Sequence, residues 1–160
     1  MPTWPINPLA HHEPFIAEEI RLLMFASYQV EADLLGAADF FPLSRTAHHI
    51  ATAEVLFWGI YEAGVLAAVL ELEDLDPTHA HIDSLVVHPA HFRRGMASAL
   101  LQQIIHLRPT QRLTVSTGVL NHPALALYAA HGFAIERHWA TADGIAMVTL
   151  GRPWLSGTRQ

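Results

Sequence analysis

Cysteine is missing from this 160-residue chain, which excludes disulfides, thiolate nucleophiles and thiolate metal ligands, and suits a cytoplasmic protein. Charge is scarce as well: Asp, Glu, Lys and Arg together make up 15 %, against 51 % apolar residues. So apolar a chain of this length can bury a real core and excludes disorder. Basic residues number nine against fifteen acidic ones, for a net charge of −6. That deficit argues against a nucleic-acid partner and mildly favours cationic ligands, because a negative field attracts positive groups. The twelve histidines offset the charge only when protonated, so solubility should worsen as pH falls towards about 6. Long apolar runs are also lacking; none approaches the roughly 18 residues of a membrane span. The start, "MPTWPINPLAHHEP", has no basic segment followed by an apolar run, so no secretory signal and no membrane anchor are expected.

No repeat, low-complexity linker or shift in composition divides the chain. Residues 1–12 read as an N-terminal arm and 13–160 as one domain. Between 15 and 35, Ile16, Ile20, Leu23 and Met24 recur at helical spacing. Gly36 and Pro42 interrupt, and a second short helix is expected through "TAHHIATAE". "VLFWGIYEAGVLAAVLELED" reads as two strands joined at Glu62-Ala63-Gly64. Leu85, Val86 and Val87 form a continuously apolar strand stopped by Pro89. A helix begins near Gly95 with Met96, Leu100, Leu101, Ile104 and Ile105 on one face, and ends near Pro109. The strand "RLTVSTGV", the helix "HPALALYAAHG" and two closing strands around Ala142-Asp143-Gly144 complete the order. The alternation implies an α/β fold, a mixed sheet with helices crossing over between strands.

"HPAHFRRGMASALLQQII", residues 88–105, places two arginines and a glycine between an apolar strand and an apolar helix. Amides at a helix start have no intrahelical partner and carry partial positive charge. A glycine lets the backbone approach a ligand, and the small residues at 97–99 avoid crowding it. Such a wedge suits a phosphate or pyrophosphate, although a basic first turn facing water has the same residues. Neither the Walker pattern nor G-x-G-x-x-G is present.

"IDSLVVHPAHFRRGMASALL" resembles the acyl-CoA-binding segment of the Gcn5-related N-acetyltransferase (GNAT) family. That segment is an apolar strand ending V-x-P, then [QR]-x-x-G-x-[GA], then a helix. Val87-His88-Pro89, Gly95 and Ala97 match, while Phe92 stands where the family has Gln or Arg. A second stretch, "NHPALALYAAHGF", is similar to the family's N-x-x-A-x-x-x-Y-x-x-x-G-F, with Asn121, Ala124, Tyr128, Gly132 and Phe133 in place. The resemblance covers roughly the last two thirds of the chain. It implies a central mixed, twisted sheet flanked by helices in a single domain. The family's first strand is not obvious in residues 1–12.

The resemblance further implies acetyl-CoA as cosubstrate, an amine as acceptor and no metal. The backbone from Arg93 and Arg94 through Gly95, Met96, Ala97 and Ser98 would bind the pyrophosphate. The strand edge Leu85, Val86, Val87 would bind the pantetheine arm, and one strand amide would polarise the thioester carbonyl. Asn121 would reach the pantetheine or simply cap its helix. Tyr128 would protonate the departing thiolate, its alternative being a tyrosine packed in the core. For the base that deprotonates the amine, Glu71 and Glu73 share a strand face with Ala67 and Val69. Glu71, nearer the apolar end, is preferred; the alternative is a strand leaving the core, as Asp74 and Asp76 follow.

Other polar residues fit less well. His79 and His81 share a strand face without a third ligand, and His48-His49 point apart on a helix. Ser116 has no nucleophile elbow. Phe40, Phe41 and Arg45 fall in a region that borders the acceptor site in relatives. The chain is thus expected to be an N-acetyltransferase acting by direct attack of a primary amine on the thioester, with a homodimer compatible. The rival is a non-catalytic acyl-CoA-binding or interaction domain on the same fold.

Overall fold

Helical periodicity in the first third of the chain produces one long helix, α1 (Pro14–Leu35), and one short one, α2 (Ala47–Thr52). The computed structural model describes residues 4–35 and 45–154, so Phe40 and Phe41 lie outside the described residues. Thr46 begins α2 with a capping box: its hydroxyl accepts from the His49 amide, and the His49 ring accepts from the Thr46 amide. On α1, Ile20, Leu23 and Met24 of the expected stripe are buried, Ile16 is only partly buried, and Ala17 and Tyr28 are buried as well.

The strands follow as β2 (Leu56–Glu62), β3 (Val65–Asp76) and β4 (His79–Val87), then helix α3 (Met96–Leu107), β5 (Arg112–Gly118), α4 (His122–Ala130), β6 (Ala134–Ala140) and β7 (Ala146–Arg152). Ala63 and Gly64 join β2 to β3 with φ of 53° and 79°, the doubly left-handed turn that matches hairpin twist. The N-terminal arm supplies β1 (Asn7–Pro8), two residues pairing antiparallel with Gly59 and Trp58 of β2. This is the first strand the sequence does not reveal. Two residues with a proline carry no alternation to read.

The sheet runs β1-β2-β3-β4-β5-β7-β6; β4 and β5 pair in parallel and the other neighbours antiparallel. One face packs against α1 and α2 through Phe57, Leu66, Val69 and Val86. The other packs against α3 through Ala68, Leu70, Leu72, Ala80, Ile82, Leu113 and Val115. Met96, Leu100, Leu101 and Ile104 of α3 are each at most 1 % exposed, and each contributes about 1.5–3 kcal/mol by leaving water. Among the described residues no helix is long and apolar enough to cross a membrane.

Candidate active site

The central opening starts from a single extra residue. Ser84 of β4 faces Glu71 of β3, and Ile82 faces Leu72, so Asp83 has no partner and forms a bulge. Side chains alternate along a strand, and an extra residue flips that alternation. Before the bulge Ala80 and Ile82 point to the α3 face; after it Leu85 and Val87 do, and Val86 turns to the α1 face. Pairing between β4 and β5 stops there, at Ile82 opposite Val115. Beyond it β4 stays with β3, while Ser116, Thr117 and Gly118 of β5 stay with β7. Two parallel neighbours therefore splay apart in mid-sheet.

Among the described residues the splay leaves β4 with an unpaired inner edge. The His88 amide donates to the Ala67 carbonyl at 2.8 Å. Antiparallel alternation then turns the backbone groups of Val86 and Ser84 towards β3 and those of Leu85 and Val87 into the opening. A cavity of about 440 Å³ follows this edge, lined by Leu85, Val86 and Val87, by residues 91–98, and by Asn121, Ala124 and Tyr128 of the α4 region. At its loop end Arg93 and Gly95 both adopt left-handed backbone, with φ of 64° and 83°. For Arg93 that conformation costs roughly 1–3 kcal/mol, which the surrounding structure must offset. A Cβ on Gly95 would touch nothing within 4 Å, so its dihedral angle, and not crowding, calls for glycine. The first bond of α3 runs from the Ala99 amide to the Gly95 carbonyl, 3.0 Å. Met96, Ala97 and Ser98 thus keep amides without an intrahelical partner, and Gly95 has no side chain to cap them.

The two arginines are not equivalent. Arg94 donates to Glu62 at 2.7 Å, contacts the His91 ring at 2.8 Å and lies over the Trp4 ring, 5.1 Å from its centre. Trp4 in turn donates its indole N–H to the Arg94 carbonyl at 3.1 Å. Among the described residues Arg93 makes no ion pair or side-chain hydrogen bond. Phe92 is 43 % exposed and lines the cavity without closing it.

A second cavity, about 450 Å³, lies beyond the shared wall of Leu85, Asn121, Ala124 and Tyr128. It is lined by Tyr28, Asp83, Ser84, Ser116, Thr117, Trp139 and Asp143, among others. Among the described residues its only charged lining residues are the two aspartates. Tyr128 is 5 % exposed, its ring 5.6 Å from that of Phe133. Asn121 accepts from the Ala124 amide at 3.3 Å and so caps α4 while facing both cavities. Ser98 is paired with the His131 ring at 2.9 Å.

The acidic residues divide by partner. Glu71 is 2 % exposed and is gripped by both nitrogens of Arg45, at 2.7 and 2.9 Å, with Ser84 donating at 2.9 Å. Tyr28 donates to Ser84 at 2.8 Å. Both Glu71 oxygens are thus engaged by neighbouring side chains. Glu73 faces His81 across the strands. Asp83 is exposed along its backbone, but its side chain keeps only 28 % accessibility. Burial above all, then the charges of Glu71 and Glu73 and a hydrogen bond with Glu73, push it up to about 7 against the pull of Arg45. A carboxylate tuned to neutrality in a cleft is what a general base requires. Sequence reading missed Asp83, although a lone acid between Ile82 and the apolar Leu85–Val87 run was a visible signal. Among the described residues no group of three or more potential ligands is placed to hold a metal ion.

The acetyltransferase (GNAT) family model matches residues 14–133. The protein YqkA of Bacillus subtilis is 32 % identical over 143 residues, covering 89 % of this chain and 41 % of its own length. The chain spans about half the length or less of the curated relatives it matches. The ribosomal-protein-S18-alanine N-acetyltransferase of Escherichia coli superposes with a TM-score of 0.74 at 20 % identity, over 98 % of this chain and 97 % of that one. The PaiA N-acetyltransferase of Thermoplasma acidophilum, solved in complex with coenzyme A, gives 0.73 at 13 % identity over 94 % and 99 %.

Proposed function

The chain belongs to the acetyltransferase (GNAT) family, and from that premise we propose that it transfers the acetyl group of acetyl-CoA to a primary amine by direct attack on the thioester. The observation that carries this reading is the pair of cavities meeting at Leu85 and Tyr128. One suits a long phosphorylated cosubstrate and the other an acceptor. The amides of Met96, Ala97 and Ser98, with Arg93, take the pyrophosphate at the start of α3. The inner edge at Leu85 and Val87 pairs with the pantetheine as another strand would. Leu85 borders both cavities, so its N–H is the donor we assign to the thioester carbonyl; such donors are worth about 3–4 kcal/mol in the transition state.

The chemistry then balances. An amine arriving as its cation loses one proton to Asp83 and attacks the carbonyl carbon. The tetrahedral intermediate expels the CoA thiolate, and the attacking nitrogen gives up its second proton to water as the amide forms. Tyr128 protonates the sulfur and is reprotonated from solvent. The acidic lining favours a cationic acceptor. Thiol release from acetyl-CoA across a panel of primary amines tests the reaction. Amine-dependent release is expected; binding of CoA with release at background would instead mark a non-catalytic acyl-CoA-binding domain. All nine basic residues are arginine and the chain has no lysine, so no lysine of its own competes as acceptor.

A further inference from the structure

Asp83 gains a proton in every turnover of the proposed reaction and must lose it before the next. One side-chain chain leads away from it. His81 Nε2 lies 3.9 Å from Asp83 Oδ1, a separation that one water or a small ring rotation bridges. The other nitrogen of that ring, Nδ1, is 2.7 Å from the Thr114 hydroxyl. The same hydroxyl is 2.7 Å from His79 Nε2. Thr114 is 3 % exposed, whereas His79 and His81 are only half-buried. Two histidines converging on one buried hydroxyl is more than sheet packing needs. The hydroxyl has one hydrogen, so it donates to one ring while accepting from the other.

We propose that His81, Thr114 and His79 form a relay that carries the amine-derived proton from Asp83 to solvent. This rests on the acetyltransferase reading above. The transfer conserves protons: Asp83 gives its proton to His81 Nε2 and His81 Nδ1–H passes its own to the Thr114 oxygen. The Thr114 hydrogen moves to His79 Nε2, and His79 releases one from Nδ1 to water. Both rings end in the opposite tautomer and reset through solvent. Burial, and then the neighbouring His79, hold His81 below the usual histidine range against the pull of Glu73. It therefore starts neutral, able to accept. The charged groups around the path are Glu73 across from His81, and Asp76 and Arg112 beside His79.

Thr114→Val preserves shape and removes only the hydroxyl, Thr114→Ser restores it, and His79→Gln alters the exposed end. Each is assayed with an amine that the wild type acetylates, in dilute buffer and with added imidazole as an external proton carrier. The expected result is a roughly tenfold fall in kcat for Thr114→Val and His79→Gln. Imidazole should restore the rate, Thr114→Ser should stay near wild type, and KM for acetyl-CoA should not move. An unchanged kcat, or a fall that neither imidazole nor serine reverses, would overturn the relay and leave the acetyltransferase reading standing. A wild type that binds acetyl-CoA without releasing thiol would overturn that reading and the relay together.

Discussion

At the scale of single residues, the proposed acid and base sit in different surroundings. Tyr128 sits in apolar packing beside Phe133 at the wall between cavities, where a departing sulfur would lie. Tyr128→Phe keeps that packing and removes the hydroxyl proposed as proton donor. Thiol-release kinetics should show kcat down by about 10²-fold, with CoA affinity in calorimetry unchanged. Asp83 works in the opposite sense. Held up to about 7 by burial and its acidic neighbours, it keeps its proton where an ordinary aspartate has lost it, and its basic form accumulates as pH rises through about 7. The acid limb of kcat/KM should therefore be centred near there, and Asp83→Asn should abolish it. The same shift makes folding stability decline as pH rises from the unfolded value of about 4 towards 7, then level off. Glu71 is tied to Arg45 and Ser84. Glu71→Ala strands the partly buried Arg45 and the Ser84 hydroxyl, and should cost about 1–3 kcal/mol in denaturant unfolding. Its nearness to apolar residues is what makes it look like a base in the sequence. Its partner Arg45 is 26 positions away, and no local pattern reveals that pairing.

At the scale of elements, the decisive feature is where a strand stops pairing. The apolar run Leu85–Val87, Gly95 and the following amphipathic helix were legible, because each is a local pattern. The bulge at Asp83 was not, since register depends on β3, which precedes it in the chain and pairs across the hairpin. The brace of the loop before α3 was also hidden. Trp4 on the N-terminal arm donates to the Arg94 carbonyl, and Arg94 is tied to Glu62 at the end of β2. Two distant segments thus hold the loop just before Gly95. Trp4→Phe keeps the ring over Arg94 and removes the N–H, a loss of about 1 kcal/mol. CoA should bind about fivefold more weakly, while a pantetheine fragment lacking the pyrophosphate should bind as before. Equal weakening of both ligands would instead mean that the arm supports the whole cleft.

At the scale of the whole molecule, a net charge of −6 surrounds a cleft whose cosubstrate is itself an anion. On the proposed reading, binding comes from local amides and Arg93, not from the overall field. On the same reading the negative balance favours the acceptor side, where Asp83 and Asp143 line the second cavity. Element order and the two motif stretches made the fold class readable in advance, because helices and strands alternate with distinct periodicities. The acceptor's identity was not readable. Its cavity is assembled from α1, β4, β5, the start of α4 and the turn between β6 and β7, segments brought together only by folding. The most direct test of the central claim is calorimetric titration of acetyl-CoA into the folded wild-type chain. Saturable binding at one site per chain, weakened when Gly95 is replaced by valine, is the predicted result. Absence of any binding heat from folded protein would contradict it.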